Sequence, residues 1–133
     1  MDKVEITSLN VRGLGSDVKR KKMFTWFKKQ DISVVMLQET HSTERLQNKW
    51  RAEWGGEVYF SHGTNNARGT AILFNPKLKN LEVHEVQASA SGRYVILDVS
   101  IKDLRFTLCT VYGPNTDDPD FFRTFIDDNR EHA

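Results

Sequence analysis

The sequence predicts an α/β fold, a mixed and mostly antiparallel sheet with flanking helices. Three observations predict it. The first third reads strand, loop, helix, strand, helix. The pattern then changes to period two, with short turns between strands. The 133 residues are 38% hydrophobic and 11% aromatic, enough for a packed core and too much for a disordered chain. A chain of this length fits one domain, residues 1–133, rather than two.

Val4-Glu5-Ile6-Thr7-Ser8-Leu9 alternates in part and predicts a strand ending near Asn10. Gly13 and Gly15 punctuate a loop. Ser16 or Asp17 caps the helix that follows, with Met23, Phe24 and Phe27 on one face. Asp31 to Gln38 holds the run Ile32-Ser33-Val34-Val35-Met36-Leu37. It is short, apolar and rich in β-branched residues, so it predicts a strand buried on both faces. The two strands are then neighbours across a helical crossover. Ser42 is placed to cap a second helix, in which Leu46, Trp50 and Trp54 recur every four residues until Gly55-Gly56.

Strands then follow at Val58-Tyr59-Phe60, Thr70 to Phe74, Leu81 to Val86, Tyr94 to Ile101 and Leu104 to Tyr112. Asn65-Asn66, Asn75-Pro76 and Ser91-Gly92 mark turns, and Lys102-Asp103 fits a two-residue hairpin turn. Asp118 and Pro119 open a last helix with Phe122, Phe125 and Ile126 as its stripe.

The formal net charge of +1 excludes a basic arm or an acidic tail as the whole protein. The charge is uneven. Residues 1–30 hold eight Lys/Arg against three Asp/Glu, and residues 114–133 hold two against six. The run Lys19-Arg20-Lys21-Lys22 reads either as a stripe that attracts phosphates or as a solvated helix face. The single cysteine, Cys109, cannot form an internal disulfide and alternates as a small core residue. The longest apolar run, Val34 to Leu37, is far short of the about 18 residues of a membrane span. Met1 to Glu5 has no apolar segment of a signal peptide. The expectation is a soluble, reduced, intracellular chain of nucleus or cytoplasm, with no membrane partner.

Asn10 and Glu39 close the two buried strands, and ligands of open α/β sheets bind beyond such carboxyl ends. A carboxylate there suits a hard cation such as Mg2+. The alternative is an ion pair for Glu39 and a loop-capping role for Asn10. Tyr112 and Asn115 flank Gly113-Pro114, where a phenol can donate to a phosphate or simply pack. His41 shares the rim after Glu39, as ligand or surface residue. Arg68 and Arg93 precede strands, where they touch phosphates or solvent. No GxSxG, P-loop, GxGxxG or HExxH occurs.

Three segments now stand in order at strand ends: Ser8-Leu9-Asn10-Val11-Arg12-Gly13-Leu14, Leu37-Gln38-Glu39-Thr40-His41 and Val111-Tyr112-Gly113-Pro114-Asn115. Together they resemble the endonuclease/exonuclease/phosphatase superfamily, with its DNase-I-like fold. Within it they look most like the endonuclease domain of LINE-type non-LTR retrotransposons. Arg68-Gly69-Thr70-Ala71-Ile72-Leu73 and Gly92-Arg93-Tyr94-Val95 are also similar to family segments. The resemblance implies two packed sheets with helices outside and Mg2+-dependent cleavage of DNA. It implies Glu39 as metal ligand, Asn10 beside it at the metal or the scissile phosphate, Tyr112 on the phosphate and Asn115 at the rim. His41, Arg68, Arg93, Lys19 and Arg20 become candidate nucleic-acid contacts.

The family's Gly-Asp-Phe-Asn segment, serine–aspartate segment and terminal Asp-His pair do not occur here. The expectation is roughly the first half of a nuclease domain, incomplete or inactive alone, with an exposed sheet face that promotes self-association. Two alternatives are a non-enzymatic retrotransposon-derived fragment that binds nucleic acid weakly and another phosphoesterase of the superfamily.

Overall fold

A computed structural model describes residues 3–113. Over them run β1 (Ile6–Asn10), α1 (Asp17–Lys29), β2 (Val34–Gln38), a short 3-10 turn (Glu44–Leu46), α2 (Gln47–Trp54), β3 (Val58–Ser61), β4 (Thr70–Phe74), β5 (Leu81–Ala88), β6 (Tyr94–Ile101) and β7 (Leu104–Val111). The expected last helix and Asn115 lie outside the described residues. The class is the expected one. A four-stranded sheet in the order β1-β2-β4-β3 packs on a three-stranded sheet in the order β5-β6-β7, and among the described residues only the β1–β2 pair is parallel.

Alternation in β2 and β4 creates two cores. Val34, Ile72 and Phe74 point toward the second sheet, against Val95, Leu97, Val99, Ile101 and Leu108. Val35, Leu37, Ala71 and Leu73 point the other way, against Phe24, Phe27, Trp50 and Trp54 of the helices. The layers are therefore helices, sheet, sheet. Trp54 is fully buried, donates its indole N–H to the Phe74 carbonyl (2.7 Å) and meets Phe24 edge-on at 5.4 Å. Gly55 ends α2 in the left-handed region, with φ +86°. Lys102 and Asp103 take φ of 52° and 67°, so the β6–β7 connection is the expected tight turn, with the two left-handed residues that match strand twist.

Four expectations are corrected. Ser16 caps α1, but Ser42 caps nothing. It is buried and bonded to His62 Nδ1 (3.0 Å), while Thr43 precedes the 3-10 turn. Arg20 is no nucleic-acid contact. It is 1% exposed, forks onto Glu53 at 2.7 and 2.9 Å, and reaches Asp17 at 2.6 Å and the Leu14 carbonyl at 2.9 Å. A phosphate cannot reach a guanidinium used this way. Cys109 is exposed, because its neighbours Leu108 and Thr110 take the inward positions. The expected bare apolar sheet face is absent among the described residues. The inner faces cover each other except at the sheet edges, where Ile6 beside Val34 and Val86 beside Leu97 stay 45% and 50% exposed, and the outer face of the second sheet carries Asp98, Ser100, Arg105 and Thr107, with Arg105 forked onto Asp98 at 3.0 and 2.7 Å.

Part of the exposed apolar surface lies on the β1 edge. Among the described residues β1 pairs only with β2, and its Ile6 and Leu9 are 45% and 39% exposed. An unpaired apolar edge templates strand addition, and a lysine on it opposes that. In sedimentation velocity the wild-type chain is expected to gain mass with concentration, and Ile6→Lys to remain a monomer. A wild-type chain that stays monomeric throughout would refute edge pairing.

Candidate active site

The strand ends meet at one pole. Asn10, Gln38, Thr70 and Ser61 lie side by side across the first sheet. Gln38 Nε2 crosses to Thr110 Oγ1 (2.7 Å) and also reaches Ser8 Oγ (3.0 Å), tying both sheets at this pole. A second cross-tie runs from Ser61 Oγ to the Ser89 carbonyl at 2.5 Å.

The turn after β2 is held from both sides. The loop after β1 continues the ladder: Gly13 N–H donates to Glu39 O (2.6 Å) and Leu14 N–H to Thr40 O (3.0 Å). From the other side Thr40 N–H donates to Gly69 O (3.0 Å) and His41 N–H to Arg68 O (2.9 Å). Gly69 N–H in turn donates to Gly92 O at 3.0 Å. Within this frame Glu39 and His41 take φ of 55° and 57°. Left-handed backbone at a residue other than glycine costs of order 1–3 kcal/mol and persists only where the surroundings impose it. Arg12 and Arg68, at φ 51° and 60°, add to this concentration around the turn.

A cleft of about 600 Å³ opens beside the turn, lined by Glu39, His41, Thr64, Asn66, Ala67, Arg68, Arg93 and Tyr112. It brings together five residues singled out from the sequence. A sixth, Asn10, adjoins it: its Nδ2 donates to Glu39 Oε1 (3.3 Å), and its Oδ1 accepts from Arg12 N–H (3.0 Å). No lysine pairs with Glu39 among the described residues. On the opposite wall the Arg93 guanidinium lies 5.7 Å over the Tyr112 ring, and Tyr112 N–H donates to Arg93 O at 2.6 Å. The Nε–H of Arg68 is buried without an acceptor among the described residues. Lys19 is half-buried, and its ammonium donates to the Val11 carbonyl (2.5 Å) below the same loop.

The sequence reading missed Thr64, Asn66 and Ala67. Asn65-Asn66 signalled a turn, and only the tertiary fold folds that turn over the cleft. It also missed Gln38, whose role depends on a partner 72 residues away.

The chain is thus an α/β two-sheet sandwich with a carboxylate, an amide, two arginines and a phenol gathered at one pole. Residues 7–125 match the Endonuclease/Exonuclease/phosphatase family, and the chain belongs to it. A curated relative, the Transposon TX1 uncharacterized 149 kDa protein of Xenopus laevis, is 31% identical over 113 residues. These are 85% of this chain and 9% of that protein. The fold is similar to the endonuclease domain of TRAS1, a telomere-specific non-LTR retrotransposon, with TM-score 0.66, 10% identity and 98% of this chain on 55% of that one. It is also similar to D. rerio TDP2 complexed with single-strand DNA product, with TM-score 0.67, 17% identity and 100% of this chain on 57% of that one. An AP endonuclease from Archaeoglobus fulgidus gives TM-score 0.61 at 16% identity, over 98% of this chain and 51% of that one. The chain thus spans about half the length of these solved structures.

Gly13 has φ +91°, and a Cβ there would stand 2.7 Å from His41 Nδ1. Gly13→Ala is therefore expected to destabilise the fold by about 1–3 kcal/mol and to displace the His41 ring. Urea denaturation checks the first effect and the His41 imidazole NMR signals the second. Wild-type stability with unmoved signals would contradict the packing.

Proposed function

We propose that the cleft is the nucleic-acid site of a Mg2+-dependent DNA endonuclease and that this chain supplies its carboxylate and phosphate-binding side. The observation that supports this reading most is the joint placement of Glu39 and Asn10 beside Arg68, Arg93 and Tyr112. Membership in the family and the likeness to a retrotransposon endonuclease domain favour DNA as the substrate.

The donors fit a hard cation. Glu39 offers a carboxylate with one oxygen already oriented by Asn10, and Mg2+ accepts one or two carboxylates with waters and substrate phosphates completing its shell. Among the described residues no group of three His, Cys, Asp or Glu forms a closed metal cage. Such a cation, when bound, neutralises phosphoryl oxygens and eases departure of the leaving oxygen. The residues themselves do the rest. Arg68 and Arg93 bind phosphate oxygens, the Tyr112 hydroxyl donates to the scissile phosphate, His41 shapes the rim and Lys19 adds positive potential.

No histidine–aspartate pair faces Glu39 among the described residues, so the reading includes weak or absent cleavage by this chain alone. Loss of a general base costs about 10²–10⁴-fold in rate. The two arginines favour a second reading, DNA binding without cleavage.

Supercoiled plasmid separates these readings. The chain is expected to shift plasmid mobility at low salt, less so for Arg68→Ala, whose log–log salt slope should fall by about 1. Any nicking should vanish with EDTA and in Glu39→Ala. Binding without nicking would support the second reading for the isolated chain. No binding at low salt would defeat both.

A further inference from the structure

We propose that His62 is a positioning residue. As a neutral imidazole with its proton on Nε2, it fastens the Glu39-bearing turn through Ser42, and a second proton on the ring releases that turn. The inference rests on the proposed site at Glu39 only for its functional meaning; its structural content stands apart.

The tautomer follows from the partners. His62 Nε2 lies 2.9 Å from Gln47 Oε1, an oxygen that only accepts, so Nε2 carries the hydrogen. His62 Nδ1 then holds a lone pair, and at 3.0 Å it takes the Ser42 hydroxyl hydrogen. The Ser42 oxygen is left to accept from the Thr40 hydroxyl at 3.1 Å, and Thr40 Oγ1 accepts the Ser42 N–H at 3.2 Å. Thr40, Ser42 and His62 thus form a chain with one direction of donation, anchored on the first residue of α2. Thr40 and Ser42 are buried, so neither hydroxyl has water to fall back on. The same stretch is the second half of the turn that holds Glu39 and His41 left-handed. Gly63 N–H to Ser42 O (3.1 Å) closes the connection from β3.

A proton added at Nδ1 faces the Ser42 hydroxyl hydrogen. Ser42 must rotate so that its oxygen accepts from Nδ1–H, and its own hydroxyl hydrogen loses its acceptor in a buried place. The charged groups bearing on the ring are Glu44 of the 3-10 turn, which favours the proton, and Arg51 of α2, which opposes it. From β3 the Phe60 ring stacks on it at 4.9 Å and 25°. Burial is the largest influence and holds the imidazole below its ordinary value of 6.5. The sign follows: the neutral, locked state is complete above that value and is lost as pH falls toward the lowered folded value.

The test uses the full chain. Nitrogen-15 imidazole shifts and backbone amide exchange at residues 39–42 are followed from neutral to acid pH. The expected result is an Nε2-protonated neutral ring at neutral pH, with amide exchange accelerating at the pH where the ring charges. Gln47→Glu gives Nε2 a charged acceptor and should raise both midpoints together. Ser42→Ala should leave ring titration without a matching step in exchange. Where nicking is measurable, Gln47→Glu should move its acid limb upward, and His62→Ala should lower turnover about 10–100-fold, as for other residues that orient a ligand. The opposite tautomer, or exchange at 39–42 that ignores the ring's charge in wild type, overturns the proposal. A chain that never nicks but shows the coupled midpoints upholds it while the endonuclease reading fails.

Discussion

Burial of β2 on both faces is the constraint on which the rest depends. A five-residue strand with Val34 facing one core and Val35 and Leu37 facing the other cannot shift by one residue without exchanging its cores. That fixes the parallel register of β1 and the antiparallel register of β4. It also fixes where β2 ends. Gln38 is the last strand residue and Glu39 the first beyond it, so the position of the carboxylate is a consequence of hydrophobic packing several residues earlier.

The turn beyond β2 then inherits its shape from its neighbours. Three ladder-like bonds to residues 11–14 and two to residues 68–69 leave little choice for the backbone of residues 38–41. The left-handed conformations of Glu39 and His41 are accepted because these bonds and the glycines at 13 and 69 hold the frame. Gly69 has φ +94°, and a Cβ on it would collide with Thr40 Oγ1, so the small residue is a packing requirement as well as a conformational one. Local strain is thus stored where polar side chains must face outward together, and stability elsewhere in the sandwich offsets it.

Much of this was legible because it is local. The continuous run at Val34–Leu37, the four-residue recurrence of Trp50 and Trp54, and the Lys102-Asp103 turn each express a period or a backbone preference. Asn10 and Glu39 were legible as candidates because polar residues at the ends of apolar strands stand out. What was not legible depends on distant partners. Arg20 reads as part of a solvated basic run until Glu53, 33 residues later, closes over it. Ser42 reads as a cap until His62 claims its hydroxyl. Cys109 reads as core until pairing with β6 sets Leu108 and Thr110 inward. In each case local chemistry offered two outcomes, and tertiary contact chose.

The charge pattern of the cleft limits what it can receive. Among its described lining residues Glu39 is the single acid, against the two guanidinium groups of Arg68 and Arg93. A divalent cation meeting one carboxylate beside two fixed positive charges gains little by itself, since like charges at close range oppose it. A phosphate alone gains from the arginines but meets Glu39. The two guests together resolve both conflicts: the cation screens Glu39 from the phosphate, and the phosphate completes the cation's oxygen shell. Under the proposed function, metal and nucleic acid would therefore be taken up jointly rather than singly, and metal affinity would depend on whether a phosphodiester is present.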